Sequence, residues 1–169
     1  MSILKRLFGK KEKDVPVVKD RNVFTIEVGD IVAYDLEDYE VVSKLTYNDH
    51  GFEWLAYQLE SPGRTVWLSA EMDDQVYLGI YEKVKLKLSE PLPEEIEFEG
   101  TRYFLDESGE ARVKGDGRGQ NVNGINCRYF DYEDEDEEKY LSVEIWGSEI
   151  EVSSGYEINE YEIKIIASK

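Results

Sequence analysis

The sequence predicts an all-β protein: two tandem, similar antiparallel β-units, barrel- or sandwich-like, packed into one body behind a short basic N-terminal tail. Three observations predict it. The segment Trp67-Leu68-Ser69-Ala70-Glu71 recurs seventy-three residues later as Tyr140-Leu141-Ser142-Val143-Glu144. From Asn22 onward, apolar and polar residues alternate over short runs, broken by turn signals about every eight to twelve residues. Helical periodicity is absent from the same stretch. At 169 residues the chain is long enough for a real core, since a chain of ~150 residues hides roughly two thirds of its unfolded surface.

In the first unit, Gly29-Asp30 opens a strand through Ile31, Val32 and Ala33, and Asp35 to Asp38 turn the chain. A second strand runs from Tyr39 to Tyr47, and Asn48-Asp49-His50-Gly51 supplies the residue types of a tight turn. Leu55, Tyr57 and Leu59 share one face of the next strand, and Ser61-Pro62-Gly63 turns it. In its partner Val66, Leu68 and Ala70 line one face, read as the inside, and Trp67, Ser69 and Glu71 line the other. The second unit repeats the grammar. Tyr103-Phe104-Leu105 stands where Tyr39-Glu40-Val41 stood, Tyr129 to Tyr132 where Ala56 to Leu59 stood, and Leu141, Val143 and Ile145 repeat the apolar parity. Ile150 with Val152, and Tyr161, Ile163 and Ile165, predict two more strands. Pro91-Leu92-Pro93 marks the hinge because proline cannot donate to a ladder, placing the seam near Ser89 to Glu94. The organisation expected is 1–21 tail and linker, 22–90 first unit, 91–169 second unit.

Charge is unevenly distributed. The formal total is -18, yet residues 1–21 carry +4, leaving -22 on the rest. So anionic a body repels nucleic-acid phosphate, and direct nucleic-acid binding is not expected. The tail differs: on a helix Ile3, Leu4, Leu7 and Phe8 share one face while Lys5 and Arg6 point elsewhere, the composition of a segment that lies against an anionic membrane surface. The alternative is a solvated basic tail without a role. The single cysteine, Cys127, cannot form an internal disulfide, and no signal peptide is evident, so a reducing, cytoplasmic location is expected, with the tail at the inner face of the membrane. No stretch approaches the ~18 apolar residues of a spanning helix.

These residues resemble a bacterial family, domain of unknown function 4178. Its pattern is matched at Gly29-Asp30, Tyr39 and Val41, Trp54, Tyr57 and Leu59, and Trp67 to Glu71. A looser second copy is matched at Gly109-Glu110-Ala111, in the glycines from Gly115 to Gly124, and at Asp131-Tyr132. It continues through Leu141-Ser142, Glu144 to Trp146, and Ser154-Gly155. The resemblance covers roughly residues 24–166 and implies a fold more firmly than a task. It brings no catalytic residues. Members of that family resemble neighbours of phage-shock-type and other membrane-stress proteins in bacterial genomes, which implies a membrane-proximal role.

Four features invite a chemical reading. His50 could titrate beside Asp49, but catalysis needs a second placed group, and the turn predicts a solvated residue. Asp131 to Glu138 holds seven carboxylates in eight positions. A calcium loop wants glycine at the sixth, where Asp136 stands, so a hairpin tip is expected and no metal site. Gly115, Gly117, Arg118 and Gly119 resemble a phosphate cradle without the helix that cradles need. A mobile connection is expected there, with a binding loop as the alternative. Trp67 and Trp146 lie opposite the apolar parity, either on an exposed protein-binding face or inside a closed double barrel.

The function expected is a non-enzymatic protein-binding module with no cofactor, no metal and no catalytic residues. Its partner is a protein, and its basic tail meets an anionic membrane or an acidic partner. An alternative is an anionic mimic of nucleic acid that occupies a DNA-binding protein. An enzyme remains open on one condition, that a cleft gathers His50 or several carboxylates from distant strands.

Overall fold

The structure, a computed structural model, describes residues 20–168. Ile3, Leu4, Lys5, Arg6, Leu7 and Phe8, the expected membrane contact, lie outside them. The described chain is all-β, as the alternation predicts. Its strands are β1 (Ile31–Tyr34), β2 (Glu37–Asp49), β3 (Phe52–Ser61), β4 (Arg64–Met72), β5 (Val76–Val84) and β6 (Glu95–Phe98). There follow β7 (Thr101–Gly117), β8 (Asn126–Asp134), β9 (Lys139–Trp146), β10 (Glu149–Ile158) and β11 (Ile163–Ile166). Every pairing is antiparallel.

Two long-range pairings close the sheet. β5 pairs with β10, with Gly155 opposite Tyr81, and β2 pairs with β7, with Leu45 opposite Gly115. The result is an eight-stranded barrel in the order β2-β3-β4-β5-β10-β9-β8-β7, with β1 and β11 extending one edge and β6 the other. The repeated segments occupy matching places: Trp67–Glu71 lies in β4 and Tyr140–Glu144 in β9, each the third of four consecutive barrel strands. The seam at Ser89 to Glu94 falls between β5 and β6.

Closure assigns the two parities. Leu68, Tyr57, Leu59 and Ile80 face outward into an apolar core covered by Val23 and Ile26, by Val32 and Tyr34 of β1, and by Ile163 and Ile165 of β11. A second outer core joins Leu141, Val143 and Val152 to Ile96 of β6 and to Leu86, Leu88 and Leu92 of the preceding connection. The apolar parity that alternation marks as inside therefore faces away from the barrel axis. Alternation cannot distinguish the two sides when an added layer covers the outside.

Three expectations are corrected. Tyr161 is not in a strand: Glu160–Glu162 forms a 3-10 turn whose entry is fixed by Asn159 N–H donating to Glu162 Oε2 at 2.6 Å, leaving Tyr161 exposed. Gly115 and Gly117 are not in a loose connection, because β7 runs through them and only Arg118–Val122 turns, as a 3-10 segment. Asp131 and Glu133 do not belong to the acidic hairpin tip, since β8 continues to Asp134, whose carboxylate accepts N–H groups of Glu138 and Lys139.

Gly29-Asp30 acts as a clip. The buried Asp30 carboxylate accepts from Arg21 Nε at 2.9 Å, from the Glu27 backbone N–H at 2.8 Å and from the Ser168 N–H at 2.7 Å. Burial pushes its pKa up, but the hydrogen bonds outweigh burial and hold it below the usual range. Both ends of the described chain are tied at this point. Asp30→Ala is expected to destabilise the fold by about 2–4 kcal/mol in urea unfolding, because Arg21 loses a buried partner and two N–H groups lose their acceptor. A loss below roughly 0.5 kcal/mol would contradict the clip.

Candidate acidic cavity of the barrel

The other parity lines the lumen. Trp67, Ser69 and Glu71 of β4 meet Ser142, Glu144 and Trp146 of β9 around one cavity of about 400 Å³, to which all eight barrel strands contribute. One end is filled by aromatic rings. Trp54 stacks on Tyr47 at 5.1 Å between centroids and meets Tyr129 edge-on at 5.1 Å, and Tyr47 lies 6.4 Å from Trp146. Leu45, Ala111 and Val113 complete this cluster, and Val122 packs against it. The Arg118–Val122 turn folds onto the same end. A Cβ at Gly115 would stand 1.8 Å from the Gly119 carbonyl oxygen, and one at Gly119 would stand 2.6 Å from Leu45 Cδ2. Close packing of backbone thus accounts for the glycines, while Arg118 pairs with Glu60 on the surface.

Beyond the aromatic end the lining is acidic. Eight carboxylates and one lysine face the cavity. On β7 and β8, Glu107 stands directly opposite Asp131; on β9 and β10, Glu144 stands directly opposite Glu151. Like charges in such positions oppose sheet formation. Lys83 Nζ lies 3.2 Å from Glu151 and compensates part of one pair. Glu144 accepts from Tyr47 Oη at 2.7 Å and contacts the Cys127 thiol at 3.5 Å. Among the described residues, no side chain hydrogen-bonds the Asp131 carboxylate.

The titration behaviour follows from this crowding. Burial first, then the negative fields of Glu107, Glu144 and Glu71, push Asp131 up to about 7. Burial likewise raises Glu71, reinforced by Glu107, and raises Glu144 against the opposing hydrogen bonds from Tyr47 and Cys127. Glu133 is raised by burial and by Asp106. The Cys127 thiol is pushed up by burial and by Glu144. Among the described residues, no three His, Cys, Asp or Glu side chains are grouped so that they could hold one metal ion.

Aromatic rings form the remaining wall. Trp67 and Tyr81 are cross-strand partners on the lumen face. Tyr81 lies flat over two glycines: a Cβ at Gly155 would come within 2.4 Å of its ring, and one at Gly79 within 2.7 Å.

A family model, Domain of unknown function (DUF4178), matches residues 27–160. The chain belongs to this family. An uncharacterised protein of Aquifex aeolicus (strain VF5) is 27% identical over 176 residues, covering 96% of this chain and 95% of that protein. No solved structure matches. The residues that carry the resemblance to DUF4178 divide by position. Tyr39, Val41, Tyr57 and Leu59 fill the outer core, Asp30 makes the clip, and Trp54, Trp67, Glu71, Asp131, Glu144 and Trp146 line the lumen.

The structure brings together carboxylates from five strands, the one condition under which the sequence left chemistry open. It leaves His50 out. That side chain is exposed at the β2–β3 turn, 2.5 Å from Asp49, whose other oxygen accepts from Tyr129. Of the lumen residues, sequence reasoning singled out Trp67 and Trp146 and missed Asp131, Glu107 and Glu144 as a group. A signal existed in the second copy, where Asp131, Glu133 and Glu144 hold non-apolar positions of strands already recognised as alternating.

Asp131 carries a pH-dependent expectation. The folded state keeps a proton that the unfolded chain releases near its ordinary value of 3.8, so this carboxyl opposes folding increasingly as pH rises from about 4 to about 7. Asp131→Asn is expected to stabilise the protein by roughly 1–3 kcal/mol at pH 8, its partial exposure to solvent screening part of the field, and by much less at pH 5. Urea unfolding of both forms at the two pH values checks it. Equal differences at both would show that Asp131 titrates normally.

Proposed function

We propose that this DUF4178 protein is a non-enzymatic binding module whose binding site is the barrel cavity. One observation carries the reading: a cavity of about 400 Å³, within the range of small-ligand sites, is lined by aromatic rings and by mutually repelling carboxylates placed against the interest of stability. Catalysis is less well supported. Acid–base pairs need environments that drive two pKa values apart, whereas Glu71, Asp131, Glu133 and Glu144 are all driven upward. Cys127 is held as a neutral thiol, the opposite of an activated nucleophile.

The basic tail supports a second element of the proposal, placement of the module at the inner membrane surface, where it would present the body to a protein partner. The association of its family with membrane-stress proteins in bacterial genomes, implied by the resemblance, supports the same placement. The nucleic-acid mimic gains nothing from the eight lumen carboxylates, which cannot be read as a phosphate row by a DNA-binding surface.

Two measurements test these statements. Ser142→Phe, which fills the cavity from the β9 wall, is expected to abolish the tryptophan-fluorescence response to small ligands that the wild type gives. A panel of cationic, neutral and anionic compounds that leaves wild-type fluorescence and melting temperature unchanged at millimolar concentration would overturn the cavity reading. In flotation with anionic vesicles, loss of residues 1–13 is expected to lower recovery of the protein several-fold. Equal recovery of both forms would count against membrane placement.

A further inference from the structure

We propose that the cavity receives an organic cation bearing at least two amino groups, with one ammonium between Glu107 and Asp131 and the other between Glu144 and Glu151. This rests on the cavity being a ligand site and goes on to name the ligand's chemistry. The first ground is charge. Eight lumen carboxylates face one lysine, and that lysine is engaged with Glu151, so most of the negative field is unanswered by the protein.

The second ground is the unanswered group itself. The partly buried Asp131 carboxylate lines the cavity with no side-chain hydrogen bond among the described residues, and it stands in the field of four other lumen carboxylates. A carboxylate crowded by others of like charge is unfavourable, and an ammonium supplies both donors and charge.

The third ground is shape. The carboxylates do not converge on a point that could hold one metal ion. They are instead spread over neighbouring strands as two opposed pairs. Because Asp131 is opposite Ser142, Glu144 is its diagonal neighbour on β9, a separation of about 7–8 Å along such a sheet. A linear diamine can reach both pairs at once, whereas a monoamine reaches one. Its methylene chain would lie beside Trp67 and Tyr81, whose ring faces favour cations and the alkyl groups beside them.

The test is calorimetric titration of the full chain at pH 8 with 1,4-diaminobutane, butylamine, calcium chloride and a neutral diol of the same length, 1,4-butanediol. The diamine is expected to bind at least ten-fold more tightly than butylamine, with the diol and calcium weaker still. Asp131→Asn and Glu144→Gln are each expected to weaken the diamine at least ten-fold, and Asp131→Glu is expected to restore most of the affinity. Circular dichroism of each variant establishes that it is folded, and Asp131→Asn relieves repulsion and so should not unfold. Binding of butylamine equal to that of the diamine would overturn the two-site geometry. Calcium binding as tight as the diamine would overturn the organic ligand. Binding of the diol with none of the diamine would leave the cavity reading standing and remove the cation. Diamine binding undiminished in both variants would place it outside the lumen and overturn the proposal.

Discussion

Closure of the sheet through the β2–β7 and β5–β10 pairings is the constraint from which the other features follow. Once eight strands form a ring, each strand must give one parity to the lumen and the other to the outside. In most small barrels the apolar parity fills the inside. Here the apolar parity is turned out and buried beneath β1, β11 and the residue 22–28 segment on one half, and beneath β6 and the residue 85–93 connection on the other. Stability is therefore vested in two outer cores and in the aromatic cluster at one end of the barrel. The rest of the lumen is released from filling space and can hold charges that a packed core would not tolerate.

That division explains an otherwise costly arrangement. Two like-charge cross-strand pairs face the lumen, and each acts against the pairing of the strands that carry it. The outer cores, with Tyr57, Leu59, Leu68, Leu141 and Val143 almost fully buried, supply the compensating stabilisation. The Asp30 clip adds to it by holding Arg21 and Ser168 against the start of β1. Local conflicts of this kind concentrate where a protein's surface or interior serves a ligand.

Much of the fold was legible. Period-two alternation gave the class, the Asn48–Gly51 types gave the turn of the β2–β3 hairpin, and Pro91 and Pro93 lie in the connection between the two sets of strands. The 3-10 turn at Tyr161 was hidden because Tyr161, Ile163 and Ile165 keep strand spacing, and only the Asn159–Glu162 hydrogen bond distinguishes them. β5 gave no clear alternation, since Tyr77, Leu78, Ile80 and Tyr81 put apolar groups on both faces. The site was far less legible. Which parity faces the lumen depends on pairings between residues 43–48 and 112–117, a separation no local pattern encodes. Asp131 was concealed inside a run of acids, because composition does not mark where a strand ends and its turn begins. The glycines of Gly115 to Gly119 likewise suggested a loose connection, when their lack of side chains instead permits close backbone packing.

The central claim is that the carboxylates of five strands share one lumen, open at its acidic end, and the titration of Asp131 reports on it most directly. Carbon-13 NMR of the side-chain carboxyl, followed across pH in the full chain, should give a midpoint near 7. A midpoint near the ordinary aspartate value of about 4 would show that Asp131 meets bulk water and stands apart from the other carboxylates, and the account of the lumen would fail.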